Sequence, residues 1–211
     1  MIDETLEQIL IGTVLGDGHI QKTQSKTNLC RLRINHSTKQ KAYLDWKYSY
    51  FASICPSEPK KEAKEESYRF YTYYRDDLIF YHDLFYEKNQ TDHYRKKIDP
   101  SLISFLKTPL ALAVWYLDDG SFRGNFEAAR IATNSFSLEE IRILQEILRI
   151  NFSIPSHIVK AGKSRISNNQ WYNLSLNAKD KGLFQFKDAI YDIVRLEIPT
   201  MLYKLEKPCN D

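Results

Sequence analysis

Leu112-Ala-Val-Trp-Tyr-Leu-Asp-Asp-Gly120 is an apolar run that stops abruptly in aspartate and glycine, and Leu10-Ile-Gly-Thr-Val-Leu-Gly-Asp-Gly18 repeats the pattern half a chain earlier. Asp17 and Asp119 stand 119 − 17 = 102 residues apart in a chain of 211. Each run reads as a helix that delivers one carboxylate at its tip. Asp3 precedes the first. Thr108 is an N-cap for the second, with Pro109 at the first helical position, where its missing N–H costs nothing. Gly12 and Gly16 let a partner backbone approach closely, and Gly18 and Gly120 are expected to end the helices in the left-handed conformation. An aspartate at a helix C-terminus is unfavourable, because the terminal carbonyls are already negative. Two carboxylates held side by side also repel unless they share a cation or a proton. A bound Mg²⁺ answers both problems through carboxylate and carbonyl oxygens. One copy alone is accounted for as a buried helix with a capping turn; the pair points to a divalent-metal site acting on a phosphodiester.

The duplication extends outward from the two runs. After the first, Arg31, Arg33 and Asn35 alternate with Leu32 and Ile34. A helix start follows, with Ser37 and Gln40 as a capping box. After the second, Arg130 and Ile131 precede Asn134, and Ser137 and Glu140 form the equivalent box 100 residues on (137 − 37). Leu138, Ile141, Leu144 and Leu148 supply that helix with its apolar face. Pro56-Ser57 and Pro155-Ser156 punctuate the two helices. Strands follow at Tyr68–Tyr74 and Trp171–Asn177, then helix starts at Asp76-Asp77 and Lys179-Asp180, then the closing segments Tyr94–Ile98 and Met201–Leu205. The fold class expected is α+β: two pseudo-symmetric αββαββα units, 1–105 and 106–211.

Sheets with a polar row opposite an apolar row are half-buried. In the first unit the DNA-binding candidates are Arg31, Arg33 and Asn35 on the alternating strand, Lys22, Lys26 and His36 on nearby strand or loop segments, and Arg69 and Arg75 further on. The second unit offers Arg130, Asn134, Lys160, Lys163 and Arg165, with Asn173, Ser175 and Asn177 on one face of its last strand. Side chains of these types on β-ribbons reach base edges in the DNA major groove. The plain alternative is the solvated face of an ordinary sheet.

Bulk properties set bounds. A net charge of +3 permits nucleic-acid binding without demanding it. Cys30, Cys55 and Cys209 form no metal-binding or disulfide pattern and read as inert thiols. No apolar run approaches a membrane span, and the acidic start Met1-Ile-Asp-Glu-Thr reads as neither signal nor transit peptide. The compartment expected is bacterial cytoplasm, or an organelle that encodes the protein.

The two runs resemble the motifs of the LAGLIDADG homing endonucleases, and Trp115-Tyr-Leu-Asp-Asp-Gly120 is a specific variant of that motif. Tyr43-Leu-Asp-Trp-Lys47 and Pro199–Leu205 are similar to the intron-encoded branch, so the resemblance covers nearly the whole chain. It implies that the motif helices form the interface between the units and that the sheets make a saddle over DNA, in a monomer. It implies Asp17 and Asp119 as metal-binding acids, assisted by the carbonyls of Gly16 and Asp118, with Mg²⁺ or Mn²⁺ activating water and stabilising the leaving oxygen. Lys97 and Lys204, at equivalent unit ends (204 − 97 = 107), are candidates to orient water and neutralise phosphate; otherwise they are solvated cations. His36 and Asn134 are candidates to position water, and a plain strand-end hydrogen bond also accounts for His36.

The departure from pattern is Val114 and Asp118, which stand where the first copy has Gly12 and Gly16. Asp118 adds a third carboxylate, either facing solvent or tuning metal occupancy. The leading expectation is a metal-dependent, site-specific double-strand DNA endonuclease encoded by an intron. The rivals are an intron-RNA-binding maturase on the same scaffold and a non-catalytic DNA-binding regulator. No splicing residues frame the chain as an intein.

Overall fold

In a computed structural model of the chain, which describes residues 2–24, 27–63, 65–89, 91–122, 127–163 and 170–206, both apolar runs are helical. Asp3 caps helix α1 (Glu4–Leu15) by accepting a hydrogen bond from Leu6 N at 2.8 Å. Then come β1 (His19–Lys22), β2 (Cys30–Ser37), α2 (Lys41–Phe51), β3 (Lys60–Lys61), β4 (Ser67–Tyr71), α3 (Ile79–Phe85) and a hairpin of β5 (Tyr86–Lys88) and β6 (Tyr94–Lys96). The second unit runs α4 (Pro109–Asp119), β7 (Gly120–Phe122), β8 (Ala128–Ala132), α5 (Leu138–Phe152), β9 (His157–Lys163), β10 (Gln170–Asn177), α6 (Gly182–Glu197) and a final 3-10 turn, Pro199–Lys204. Two antiparallel four-stranded sheets result, in the orders β1-β2-β4-β3 and β7-β8-β10-β9. The αββαββα order thus occurs twice, and the first copy adds the β5–β6 hairpin.

Helices α1 and α4 pack against each other and are apolar on nearly every side, which is the pattern of helices enclosed by a core. Contact is closest at glycine. A Cβ on Gly12 would lie 2.4 Å from Ala111 O and 2.8 Å from Val114 Cβ, and one on Gly16 would lie 2.4 Å from Asp118 Cβ. Three polar groups fix the arrangement. Buried Gln8 donates to Phe105 O at 2.8 Å and accepts from Thr108 Oγ1 at 3.1 Å, tying α1 to the start of α4. Tyr43 of α2 donates to Val114 O at 3.2 Å, and Tyr116 donates to Lys204 O at 2.9 Å.

Several local expectations hold. Thr108 and Pro109 start α4, and Ser137 with Glu140 forms a capping box on α5, whose Ile141, Leu144 and Leu148 are buried. Others do not. Ser37 makes no side-chain cap; a 3-10 turn, Thr38–Gln40, leads into α2 instead. Gly18 and Gly120 are not left-handed: the positive-φ residues described are Asn28, Asp92, Ser153, Lys181 and Gly162. They are glycines for space, since a Cβ would meet Thr13 O at 2.7 Å and Tyr116 O at 2.4 Å respectively.

Candidate active site and strand face

The tips of α1 and α4 bring Asp17, Asp118 and Asp119 together with Lys47, Lys96 and Lys204. Burial among the helix ends, then repulsion from Asp118, pushes the half-exposed Asp17 carboxyl above its ordinary range. Burial, then the charges of Asp17 and Asp118, pushes Asp119 up to about 7. Both acids are hard oxygen donors whose charge is disfavoured by the protein alone, which is the chemistry a divalent cation relieves. The two lysines cap the helix tips: Lys96 Nζ donates to Gly16 O at 2.7 Å, and Lys204 Nζ donates to Leu117 O at 2.8 Å and Asp118 O at 3.2 Å. Burial lowers the pKa of both lysines. The unfavourable negative end of each helix is therefore offset first by an ammonium. The carbonyls of Gly16 and Asp118, expected as metal ligands, already carry these lysine contacts.

The Asp118 side chain neither faces solvent nor stands open to an ion. It is fully buried, and Lys47 of α2 donates to its two oxygens at 2.8 and 2.9 Å. Asp118 Oδ2 also accepts from Asp17 N at 3.2 Å. Lys47 is fully buried too, 4.5 Å over the Tyr43 ring and 3.2 Å from His36 Nε2. His36 Nδ1 lies 3.6 Å from Asp17 Oδ2, so one donor atom each of Asp17, His36 and Asp118 falls within 4.8 Å of the others. Burial and the neighbouring Lys47 charge push the His36 pKa down to about 4, so the ring is neutral near pH 7.

Six expected positions lie elsewhere than the site or the polar rows. Lys97 turns away to Asp99, its Nζ 3.8 Å from Oδ2, and Lys96 takes the site position. Alternation along β6 puts neighbouring residues on opposite sides, so an offset wrong by one selects the wrong lysine. His36 belongs to the buried row of β2 with Leu32 and Ile34 and lies beneath Asp17, off the strand face. Its counterpart is not Asn134. His19 opposite Arg33 corresponds to Ser121 opposite Arg130, and three residues further on lie His36 and Thr133. Asn134 is exposed in the turn after β8. Lys22 pairs in register with buried Cys30, off the polar row, and sits 3.7 Å from Asp83. Lys160 and Lys163 stand opposite Tyr172 and Gln170, on the row opposite Asn173 and Ser175: Lys160 by plain alternation, and Lys163 because a bulge at Ala161 shifts the register.

The polar rows that remain share one face in each sheet, since cross-strand partners point the same way. The first row pairs Arg33 with Tyr71 and Asn35 with Arg69; the second pairs Asn173 with Ala132 and Ser175 with Arg130. Arg33 is exposed and has no ion pair among the described residues. Arg31 bonds Gln21 and lies 4.8 Å over the rings of Tyr71 and Tyr74. Arg69 pairs with Glu62 at 2.6 Å, and Arg75 with Asp77 at 2.6 Å. Ser175 is buried and donates to Asn177 at 2.8 Å. Lys26 and Arg165 lie outside the described residues.

Sequence reasoning missed Lys47 and Lys96. The signal for Lys47 was present: it is one of the inward positions of α2, with Tyr43, Leu44 and Phe51, and a lysine on an apolar face needs a buried partner. Lys96 carried no such signal.

Residues 7–180 match the LAGLIDADG DNA endonuclease family. The chain is 27% identical over 208 residues to the DNA endonuclease I-ChuI of Chlamydomonas applanata, covering 91% of this chain and 93% of that one. It is 26% identical over 211 residues to the cytochrome b mRNA maturase bI2 of Saccharomyces cerevisiae, covering 93% of this chain and 46% of the maturase. In fold it is similar to the homing endonuclease I-WcaI, solved bound to its DNA recognition sequence, with a TM-score of 0.79 at 24% identity, covering 98% of this chain and 88% of that one. With its two Asp-Gly helices, duplicated sheets and matching family pattern, the chain belongs to the LAGLIDADG DNA endonuclease family.

Proposed function

We propose that the chain is an intron-encoded, site-specific homing endonuclease that hydrolyses both strands of a long duplex with Mg²⁺ or Mn²⁺. It acts as a monomer whose units, 1–105 and 106–211, each serve one strand. The observation that carries this reading is the meeting of two carboxylate-tipped helices whose acids disfavour their own charge. Asp17 and Asp119 would hold the ion, and the carbonyl oxygens of Gly16 and Asp118 would donate through the lone pairs their lysine contacts leave free. When bound, a divalent cation would supply activation of water and stabilisation of the departing oxygen. Lys96 and Lys204, fixed on the tip carbonyls, present ammonium charge to the phosphates and orient water. Arg33, Asn35 and Arg69 on one sheet and Arg130, Asn173 and Asn177 on the other grip the duplex.

The test is selection for cleavage from a randomised duplex library with Mg²⁺, beside the Asp17→Asn/Asp119→Asn double variant. A long, nearly unique cut sequence, absent with a variant that still binds that sequence, is expected. Intact DNA from a folded wild-type chain refutes the reading. A second reading, binding of intron RNA, is favoured by the similarity to the yeast maturase. Tight binding to structured intron RNA without DNA cleavage would establish it.

A further inference from the structure

Two of the positions that break the pseudo-symmetry of the chain carry buried charge, and they touch each other. Where α1 has Gly16, α4 has Asp118, at the same offset of 102 that relates Asp17 to Asp119 (118 − 16). Where α2 turns buried Lys47 inward, the inward positions of α5 beyond its capping Glu140 are all apolar: Ile141, Leu144, Ile147 and Leu148 are buried. Each exception alone would bury an uncompensated charge; together they form an ion pair closed to solvent on both sides. Gly16 supplies the room, since a Cβ there would overlap Asp118.

Of the two catalytic acids, it is Asp17 that the side-chain hydrogen bonds of the pair reach, directly and through His36. Asp118 Oδ2 accepts the backbone N–H of Asp17, and Lys47 holds His36 Nε2 while His36 Nδ1 faces Asp17 Oδ2. At the places that would serve Asp119 stand Gly16, the apolar inward face of α5 and Thr133, none of which carries a charge. Thr133 is committed to Tyr172 O at 2.8 Å.

We propose that Lys47 and Asp118 are positioning residues chiefly for Asp17, so that the two half-sites are built unequally and the two DNA strands depend on the pair to different degrees. This rests on the endonuclease reading above. Among the described residues the pair touches none on the strand face, so DNA binding is expected not to depend on it.

The experiment uses the full chain on the target recovered by the library selection, with each strand labelled separately. Lys47→Met, Lys47→Arg and the double variant Lys47→Ile/Asp118→Ala are compared with wild type. DNA binding in Ca²⁺ and the urea midpoint are measured alongside. The single Lys47→Met leaves Asp118 buried and unpaired and is expected to lose stability. The double variant installs an apolar pair like that of the other half and is expected to keep its fold. In that folded double variant, cleavage of one strand is expected to slow by about tenfold or more while the other changes by about threefold or less, so that nicked duplex accumulates. DNA affinity is expected to stay unchanged, and Lys47→Arg to restore part of the slowed strand. Equal slowing of both strands, or none, in the folded double variant overturns the proposal and leaves the endonuclease standing. A wild-type chain that cuts neither strand removes both.

Discussion

Replacing Gly12 by alanine adds one carbon where α1 crosses α4. That carbon would sit 2.4 Å from the backbone oxygen of Ala111 and 2.8 Å from Val114 Cβ, against an ordinary contact of at least 3.4 Å. Relief requires the helices to part by about 1 Å (3.4 − 2.4) at the crossing, because a backbone oxygen inside a helix has no rotamer to turn. Overpacking of this kind costs about 1–3 kcal/mol, and contact with backbone argues for the upper end. The gain of a helix-interior glycine becoming alanine offsets about 1 kcal/mol. A net loss of about 2 kcal/mol is expected, which at a urea slope of about 2–3 kcal/mol/M lowers the midpoint by about 0.7–1 M. The effect on cleavage is expected to be larger. Asp119 rides on the end of α4, and a misplacement of about 1 Å in a reacting constellation costs about a hundredfold. The assay is a urea titration followed by fluorescence, beside cleavage of the selected target under conditions where the variant is fully folded. Adding Val114→Ala is expected to rescue neither quantity, because it leaves the Ala111 oxygen and its own Cβ in place. A Gly12→Ala variant that is as stable as wild type and cuts as fast would refute the close crossing of the two helices.

The ionisation of Asp119 makes the metal-free fold sensitive to pH. Its folded pKa of about 7 lies above the ordinary 3.8, so its contribution to stability is fully present below pH 3.8 and is lost as pH rises through 7. In EDTA, the difference in urea midpoint between pH 8 and pH 5 is expected to be smaller for Asp119→Asn than for wild type, and Mg²⁺ is expected to recover stability at pH 8 while releasing protons near pH 6, read by calorimetry in two buffers. Lys96→Met and Lys204→Met are each expected to slow cleavage by about 10- to 100-fold, with DNA affinity within about threefold, whereas Lys97→Met leaves cleavage within about twofold; single-turnover rates decide it. Arg33→Ala is expected to weaken DNA binding and to reduce the slope of log affinity against log salt by about one, while Asn173→Ala leaves the slope unchanged, as titrations at several salt concentrations will report.

Much of this was legible in sequence because it is local or repeated. The two Asp-Gly runs, their N-caps at Asp3 and Thr108, the capping box at Ser137, and the alternation of Arg31, Arg33 and Asn35 with Leu32 and Ile34 are each set by residues within one or two turns or one strand. Repetition at a nearly constant offset then identified two units and paired Asp17 with Asp119. Errors arose where one residue of offset changes the face. Lys97 stood in for Lys96, Asn134 for Thr133, and the bulge at Ala161 put Lys163 on the same row as Lys160, opposite Asn173 and Ser175. The strand period is two, so counting between homologous segments tolerates no slip.

By itself, then, the sequence determined the helices, the strands, the duplication and the two acids at the helix tips, all of which follow from short-range periodicity and capping. Tertiary structure alone decided which cation meets which anion. Lys47 and Asp118 are 71 residues apart, Lys96 and Gly16 are 80 apart, and Lys204 and Asp118 are 86 apart. These contacts exist because packing of α1 on α4 excludes water from the tips, and a charge deprived of water takes whatever partner the fold brings within reach.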